Sequence, residues 1–193
     1  MKNPQFLTFI FLILFSCKSD KISEKSIELN NKAINSISAE KYSDALKYSE
    51  EAIKADEKNY NAYTIKAQML IKQNDLSEAE KTIQQQLKVK PDFAEGWTFK
   101  GLINDLIGNE KQAKSDYQKG IDLYQKRIQK NNFNKQMNVT NEYLNLILIG
   151  DSKSKQKMAE IENKYKNDKS IYNFLISVKN YSKEEIIKQM LIE

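Results

Sequence analysis

Residues 60–93 read YNAYTIKAQMLIKQNDLSEAEKTIQQQLKVKPDF. Shifted by 34 residues in either direction, this stretch meets its own pattern. Ala79 falls in one column with Ala45 and Ala113, Ala67 with Ala33 and Gly101, and Lys66 with Lys32 and Lys100. Tyr63 falls with Leu29 and Trp97, and Leu87 with Ile53 and Ile121. Five columns at a single period are hard to obtain by chance. Each unit has an apolar pattern of helical period on both sides of a short polar break, which is how a helix–turn–helix hairpin is written.

The period and columns resemble the tetratricopeptide repeat, for which 34 residues is the unit length. The family's large residue early in the first helix corresponds to Leu29, Tyr63 and Trp97. Its small residue one step later corresponds to Ala33, Ala67 and Gly101, and its alanine in the second helix to Ala45, Ala79 and Ala113. Its turn residues correspond to Glu40-Lys41-Tyr42, Asn74-Asp75-Leu76 and Gly108-Asn109-Glu110. Its closing proline is Pro91, replaced by Glu57 and Gln125 in the other units. The leucine-like residue before the small one is lysine in all three units. The resemblance implies an all-α fold, a short right-handed α-solenoid of TPR hairpins with a C-terminal helical cap. The units are 26–59, 60–93 and 94–127 within a repeat region of 26–130, and residues 131–193 form further helices with a possible degenerate fourth repeat.

The columns have physical reasons. Small residues let two helices approach closely, and Leu29, Tyr63 and Trp97 fill the space between hairpins. One hairpin cannot bury both of its apolar faces, so neighbours must stack. Pro91 ends the second helix of the middle unit, because its ring cannot occupy a helix interior.

Beyond the third unit the second helix runs on through Leu123, Arg127 and Ile128, and residues 131–134 read as a break. Thr140 is the expected N-cap of a helix from Asn141 to Ile149, closed by Gly150. A helix from about Ser154 carries Met158, Ile161 and Tyr165 on one face, and a shorter one runs near Ser170 to Lys179. Ser182 and Glu185 form a capping-box pattern before a last helix, Lys183 to Ile192. Its stripe of Ile186, Ile187, Met190 and Leu191 either caps the stack or docks a partner.

The N-terminus is of another kind. Lys2 is followed by an apolar run from Phe6 to Phe15, broken only by Thr8, and then by Ser16 and Cys17. Ten helical residues reach about 15 Å, half of a hydrocarbon core, so the run suits a cleavable signal better than a span. Leu14-Phe15-Ser16-Cys17 resembles the lipobox of bacterial lipoproteins, with Cys17 as the lipid acceptor. Residues 1–16 are then a signal peptide and 17–25 a lipidated tether. The acyl chains on Cys17 would hold the protein to a bacterial membrane, the outer one by expectation, with each buried methylene adding about 0.8 kcal/mol.

Composition narrows the function. The net charge is +5, and +4 once Lys2, the sole charge of residues 1–16, is removed. Lysines alternate with acids, as in Glu50-Glu51-Ala52-Ile53-Lys54, which reads as a solvated helix face and not a nucleic-acid patch. No histidine occurs and Cys17 is the only cysteine. Histidine triads, histidine metal ligands and, with Cys17 lipidated, thiol nucleophiles are therefore excluded. No phosphate loop is present, and Gly96 and Gly101 read as packing residues inside a helix. The expectation is a chain without catalytic residues, metal or cofactor other than its covalent lipid, and without nucleic-acid or small-molecule ligands.

The resemblance implies a concave groove lined by the first helices, which would present Asn30, Asn61, Thr64, Gln68, Thr98, Leu102 and Asp105, with Ile34 and Lys72 beside them. Side-chain amides there could hydrogen-bond an extended segment of a protein partner at the cell envelope, or be no more than hydrophilic surface. A subtype of the family grips a C-terminal carboxylate with basic residues. The corresponding positions here are Asn30, Ile34, Glu95 and Phe99, so that mode is not expected. The alternative to a partner-binding scaffold is a structural lipoprotein that self-associates through its repeat ends or the C-terminal helix.

Overall fold

The computed structural model describes residues 21–130 and 134–191. The signal peptide, Cys17, the start of the tether and the break at residues 131–133 lie outside the described residues. Among the described residues the chain is all-helical: α1 (Glu24–Ser38), α2 (Tyr42–Ala55), α3 (Tyr60–Lys72), α4 (Leu76–Val89), α5 (Ala94–Leu106), α6 (Glu110–Gln129), α7 (Lys135–Ile149), α8 (Ser152–Tyr165), α9 (Lys169–Val178) and α10 (Lys183–Met190). Helices α1 to α6 form three stacked hairpins. Helix α1 opens at Glu24, inside the stretch expected to be tether.

The turn inside each hairpin repeats atom for atom. Glu40, Asn74 and Gly108 share a column, and their φ angles are +57°, +61° and +81°. The amide after each one donates to the carbonyl five residues back: Lys41 to Ser36 at 2.8 Å, Asp75 to Leu70 at 2.9 Å and Asn109 to Asn104 at 2.7 Å. This left-handed C-terminal motif satisfies the last carbonyls of the first helix and reverses the chain. Glycine and asparagine tolerate it readily, whereas Glu40 holds it against its own side-chain sterics.

Packing inside the hairpins is set by complementary volumes. Gly101 faces Tyr117, Ala67 shares a core with Ile83, and the 34-residue register puts Ala33 and Ser49 in the same two columns. Where the second helix carries its largest residue, the first carries none. A Cβ placed on Gly101 would stand 2.6 Å from two carbons of the Tyr117 ring. Ala45, Ala79 and Ala113 have no exposed surface, as a close helix crossing requires.

The third unit departs from the others. Asp56 ends α2 by accepting from the Lys58 amide at 2.9 Å, and Pro91 follows the end of α4. Helix α6 meets no such stop and runs through Tyr124 to Gln129. The 34-residue register would open a fourth unit at Ile128, which lies inside α6. Helix α7 instead opens at Lys135 and packs along the overrun.

Two helix starts differ from the sequence reading. Thr140 lies inside α7 and not at its cap, because its hydroxyl is satisfied by the Met137 carbonyl at 2.9 Å. The cap of α8 is Asp151, whose carboxylate accepts from the Ser154 amide at 2.7 Å. Ser182 and Glu185 form the reciprocal capping box at the start of α10.

The main core runs from Ala67 and Ile83 through Phe99, Tyr117 and Tyr143 to Leu175 and Ile186. Each large side chain sealed in it contributes about 1.5–3 kcal/mol of apolar burial. The C-terminal helices are thus part of the same core as repeats two and three.

Candidate partner-binding groove

The first helices α1, α3 and α5 line one face of the stack. The residues expected along it fall into two groups. In the first two units Asn61 and Gln68 are half-buried, and Asn30 is 9% exposed. The Oδ1 atoms of Asn30 and Asn61 are buried without a hydrogen-bond partner. Thr64 is sealed, because Gln86 reaches over it and donates from Nε2 to Thr64 Oγ1 and to the Tyr60 carbonyl, both at 2.6 Å. Lys72 lies on the rim, its Nζ 4.3 Å from the centre of the Tyr42 ring.

The third-unit residues are not on open surface. Thr98 and Leu102 are buried, and the Asp105 side chain is only 4% exposed. The reason lies in a second column. Ala52, Gln86 and Gly120 share a register, so α6 has no side chain where Gln86 covers Thr64. Helix α7 moves into that space: the Thr98 hydroxyl donates to Asn145 Oδ1 at 3.1 Å. A Cβ on Gly120 would lie 3.1 Å from Thr98 Oγ1 and 3.3 Å from Asn145 Oδ1. Helix α10 then closes over the same place. Ile186, Gln189 and Met190 meet Thr98, Tyr124, Asn141, Leu144 and Asn145 around a cavity of about 10 Å³.

Asp105 is the electrostatic centre of this region. It accepts the Tyr117 hydroxyl at 2.7 Å and Lys183 Nζ, from α10, at 2.6 Å. Burial, reinforced by the Asp105 carboxylate, raises the Tyr117 pKa far above the ordinary phenol value, which keeps the hydroxyl a donor. Burial does the same to Tyr124. The C-terminal stripe that could have mediated self-association is therefore engaged within the chain: Ile186 and Met190 are buried, and Ile187 and Leu191 pack against the same core.

On the outer side, buried Asp116 accepts from Lys100 Nζ at 3.1 Å, Asn104 Nδ2 at 2.8 Å and Gln112 Nε2 at 3.0 Å. The bonds from Lys100 and Asn104 brace α5 against α6. Of the positions that correspond to a carboxylate clamp, Glu95 is held by Arg127 at 2.7 Å and Phe99 is fully buried. Among the described residues no group of three or more His, Cys, Asp or Glu could hold a metal ion, and no helix is long and apolar enough to cross a membrane.

Tyr117, Gly120, Asn145 and Lys183 were not singled out by sequence reasoning. A signal existed for their region: Asp105 stands in a column whose other members are Ile37 and Ile71.

Two family models, each described as "Tetratricopeptide repeat", match residues 36–103 and 94–127. Residues 36–127 are tetratricopeptide repeats. A 94-residue segment is 31% identical to the heat shock protein sti1 homolog of Schizosaccharomyces pombe, covering 49% of this chain and 16% of that protein. The chain thus spans about one-sixth of that relative's length. Among solved structures, the first TPR of Spaghetti (RPAP3) bound to an HSP90 peptide has a TM-score of 0.51 at 20% identity, over 52% of this chain and 80% of that one. The TPR2B domain of yeast Sti1, in complex with an Hsp70 peptide, has a TM-score of 0.53 at 16% identity, over 63% and 95%. At these identities the structures show a shared tetratricopeptide fold.

Proposed function

We propose that this chain is a lipid-anchored interaction scaffold of the bacterial cell envelope, whose tetratricopeptide face holds a segment of a protein partner. The observation that carries the reading is the polar row of the first two units. Asn61 and Gln68 stand partly exposed two turns apart on one helix, α3, with Asn30 beside them on α1. Side-chain amides in such a row can hydrogen-bond the N–H and C=O groups of an extended backbone. Tetratricopeptide units in RPAP3 and Sti1 bound to chaperone peptides support peptide binding as the mode. They do not extend to the same peptide, because the positions that would grip a terminal carboxylate are Asn30, Ile34, Glu95 and Phe99, none of them basic.

The anchor rests on Leu14-Phe15-Ser16-Cys17. Lipid on Cys17 confines the scaffold to a surface, where raised effective concentration makes modest affinity sufficient. The work done is holding, and no catalytic step or cofactor is assigned to it.

The test is cross-linking and affinity capture from envelope fractions of cells exporting the chain, with mass spectrometry of the captured proteins. Asn61→Ala with Gln68→Ala should abolish capture while leaving helicity unchanged, and capture that survives the pair rules out this face. Cys17→Ser should remove palmitate label and membrane association together. A Cys17→Ser chain that stays on the membrane refutes the anchor.

A further inference from the structure

Lys183, Ile186 and Met190 occupy positions i, i+3 and i+7 of α10, one face of a helix. That face lies on the third unit. The ammonium meets Asp105, and the two apolar side chains are sealed beside Thr98, Tyr124 and Leu144. The receiving region departs from the repeat pattern at three columns. Ile37 and Ile71 give way to Asp105, Ser49 and Ile83 to Tyr117, and Ala52 and Gln86 to Gly120. Tyr117 orients the carboxylate that takes Lys183, and Gly120 admits the α7 residues that form the rest of the seat.

The resident helix fits this seat incompletely. Gln189 Oε1, on α10 itself, borders the small cavity under the helix and is buried without a hydrogen-bond partner. Unmatched buried polar atoms weaken the association that buries them. Helix α10 has eight residues, too few to persist in water without its contacts. Four residues, 179–182, join it to α9.

We propose that the α5–α7 surface under α10 is a docking site for an amphipathic helix of a protein partner. That helix would carry a cation in its first turn and apolar residues three and seven positions later, and α10 is its resident, displaceable competitor. The proposal rests on the reading of the chain as a binding module and names the partner's chemistry at the third unit. A competing helix that carries an apolar side chain in place of Gln189 gains what α10 forgoes.

The probe is a fluorescein-labelled peptide of residues 180–191, titrated by fluorescence anisotropy into the full chain. Two releasing variants are used, Lys183→Glu alone and Ile186→Asp with Met190→Asp. Each should bind the probe at least about tenfold more tightly than the native chain, because a site that is seldom free lowers apparent affinity by its free fraction. A Lys183→Glu peptide should bind an Asp105→Lys chain in preference to the native peptide. Equal affinity of native and released chains overturns the proposal, as does a probe that binds neither. The milder Lys183→Glu change keeps the test valid if the double variant does not fold. Envelope capture indifferent to Lys183→Glu would overturn this proposal and leave the scaffold reading standing. Tight probe binding without any captured partner would support the helix seat and sink the envelope scaffold.

Discussion

At Gly101 the fold depends on an absent side chain, and the dependence is mutual with Tyr117. Gly101→Ala places a carbon 2.6 Å from the tyrosine ring and is expected to destabilise by about 2–3 kcal/mol, seen as a lower urea midpoint. Adding Tyr117→Ile recreates the Ala67–Ile83 pair of the middle unit. The double variant should then retain at least about 1 kcal/mol more than the sum of the two losses; strictly additive losses would refute the volume exchange. Glu40 offers the opposite case. Its left-handed backbone suits glycine, so Glu40→Gly should stabilise by about 1 kcal/mol, and an unchanged or lower melting temperature would contradict that. The alanine columns were legible in the sequence because small residues recur as small residues. Ser49, Ile83 and Tyr117 share no chemical class, so their column becomes visible only when the facing column is known.

At the scale of helices, the hairpins announce themselves and the C-terminal elements do so only in part. The capping box of α10 was readable because it is local, two side chains and two amides within four residues. The start of α7 was not. Thr140 has the chemistry of a cap, but a threonine that bonds back to Met137 sits equally well inside a helix. Where α10 would lie was also out of reach, since Lys183 and Asp105 are 78 residues apart. Its energetic standing can be measured. Ile186→Ala should weaken the docking of α10 by about 2–4 kcal/mol, read as faster exchange of the α10 amides. Hydrogen exchange should show α10 amides opening well before those of α5, whose Phe99, Leu102 and Ile103 are fully buried. Equal protection of the two helices would contradict a displaceable α10.

Across the whole molecule, charge and burial are in tension at Glu142, which links α7 to the α6 overrun through Gln125 Nε2 at 2.7 Å. Burial raises the pKa of this carboxyl, against the opposing pull of the Gln125 donor, Lys164 and Lys157. The native state therefore holds the proton more tightly than the unfolded chain, and this contribution to stability is present at low pH and lost as pH rises through the raised value. Glu142→Gln keeps an acceptor for Gln125 and should melt higher than the native chain at pH 7. The gap should close as pH falls into the carboxylate range; a gap independent of pH would refute the assignment. The repeat count was legible from the 34-residue period. The end of the array was legible in part: the run of α6 through Arg127 and Ile128 could be read from its apolar residues and the missing proline, whereas the packing of α7 along that overrun could not. That continuation makes the solenoid a ruler with a fixed far end. A spare copy of residues 60–93 could be spliced between the first and third units and lengthen the face by one hairpin. A spare copy of 94–127 inserted after itself would find its place taken by Tyr124, Arg127 and α7, so this array does not grow at that end.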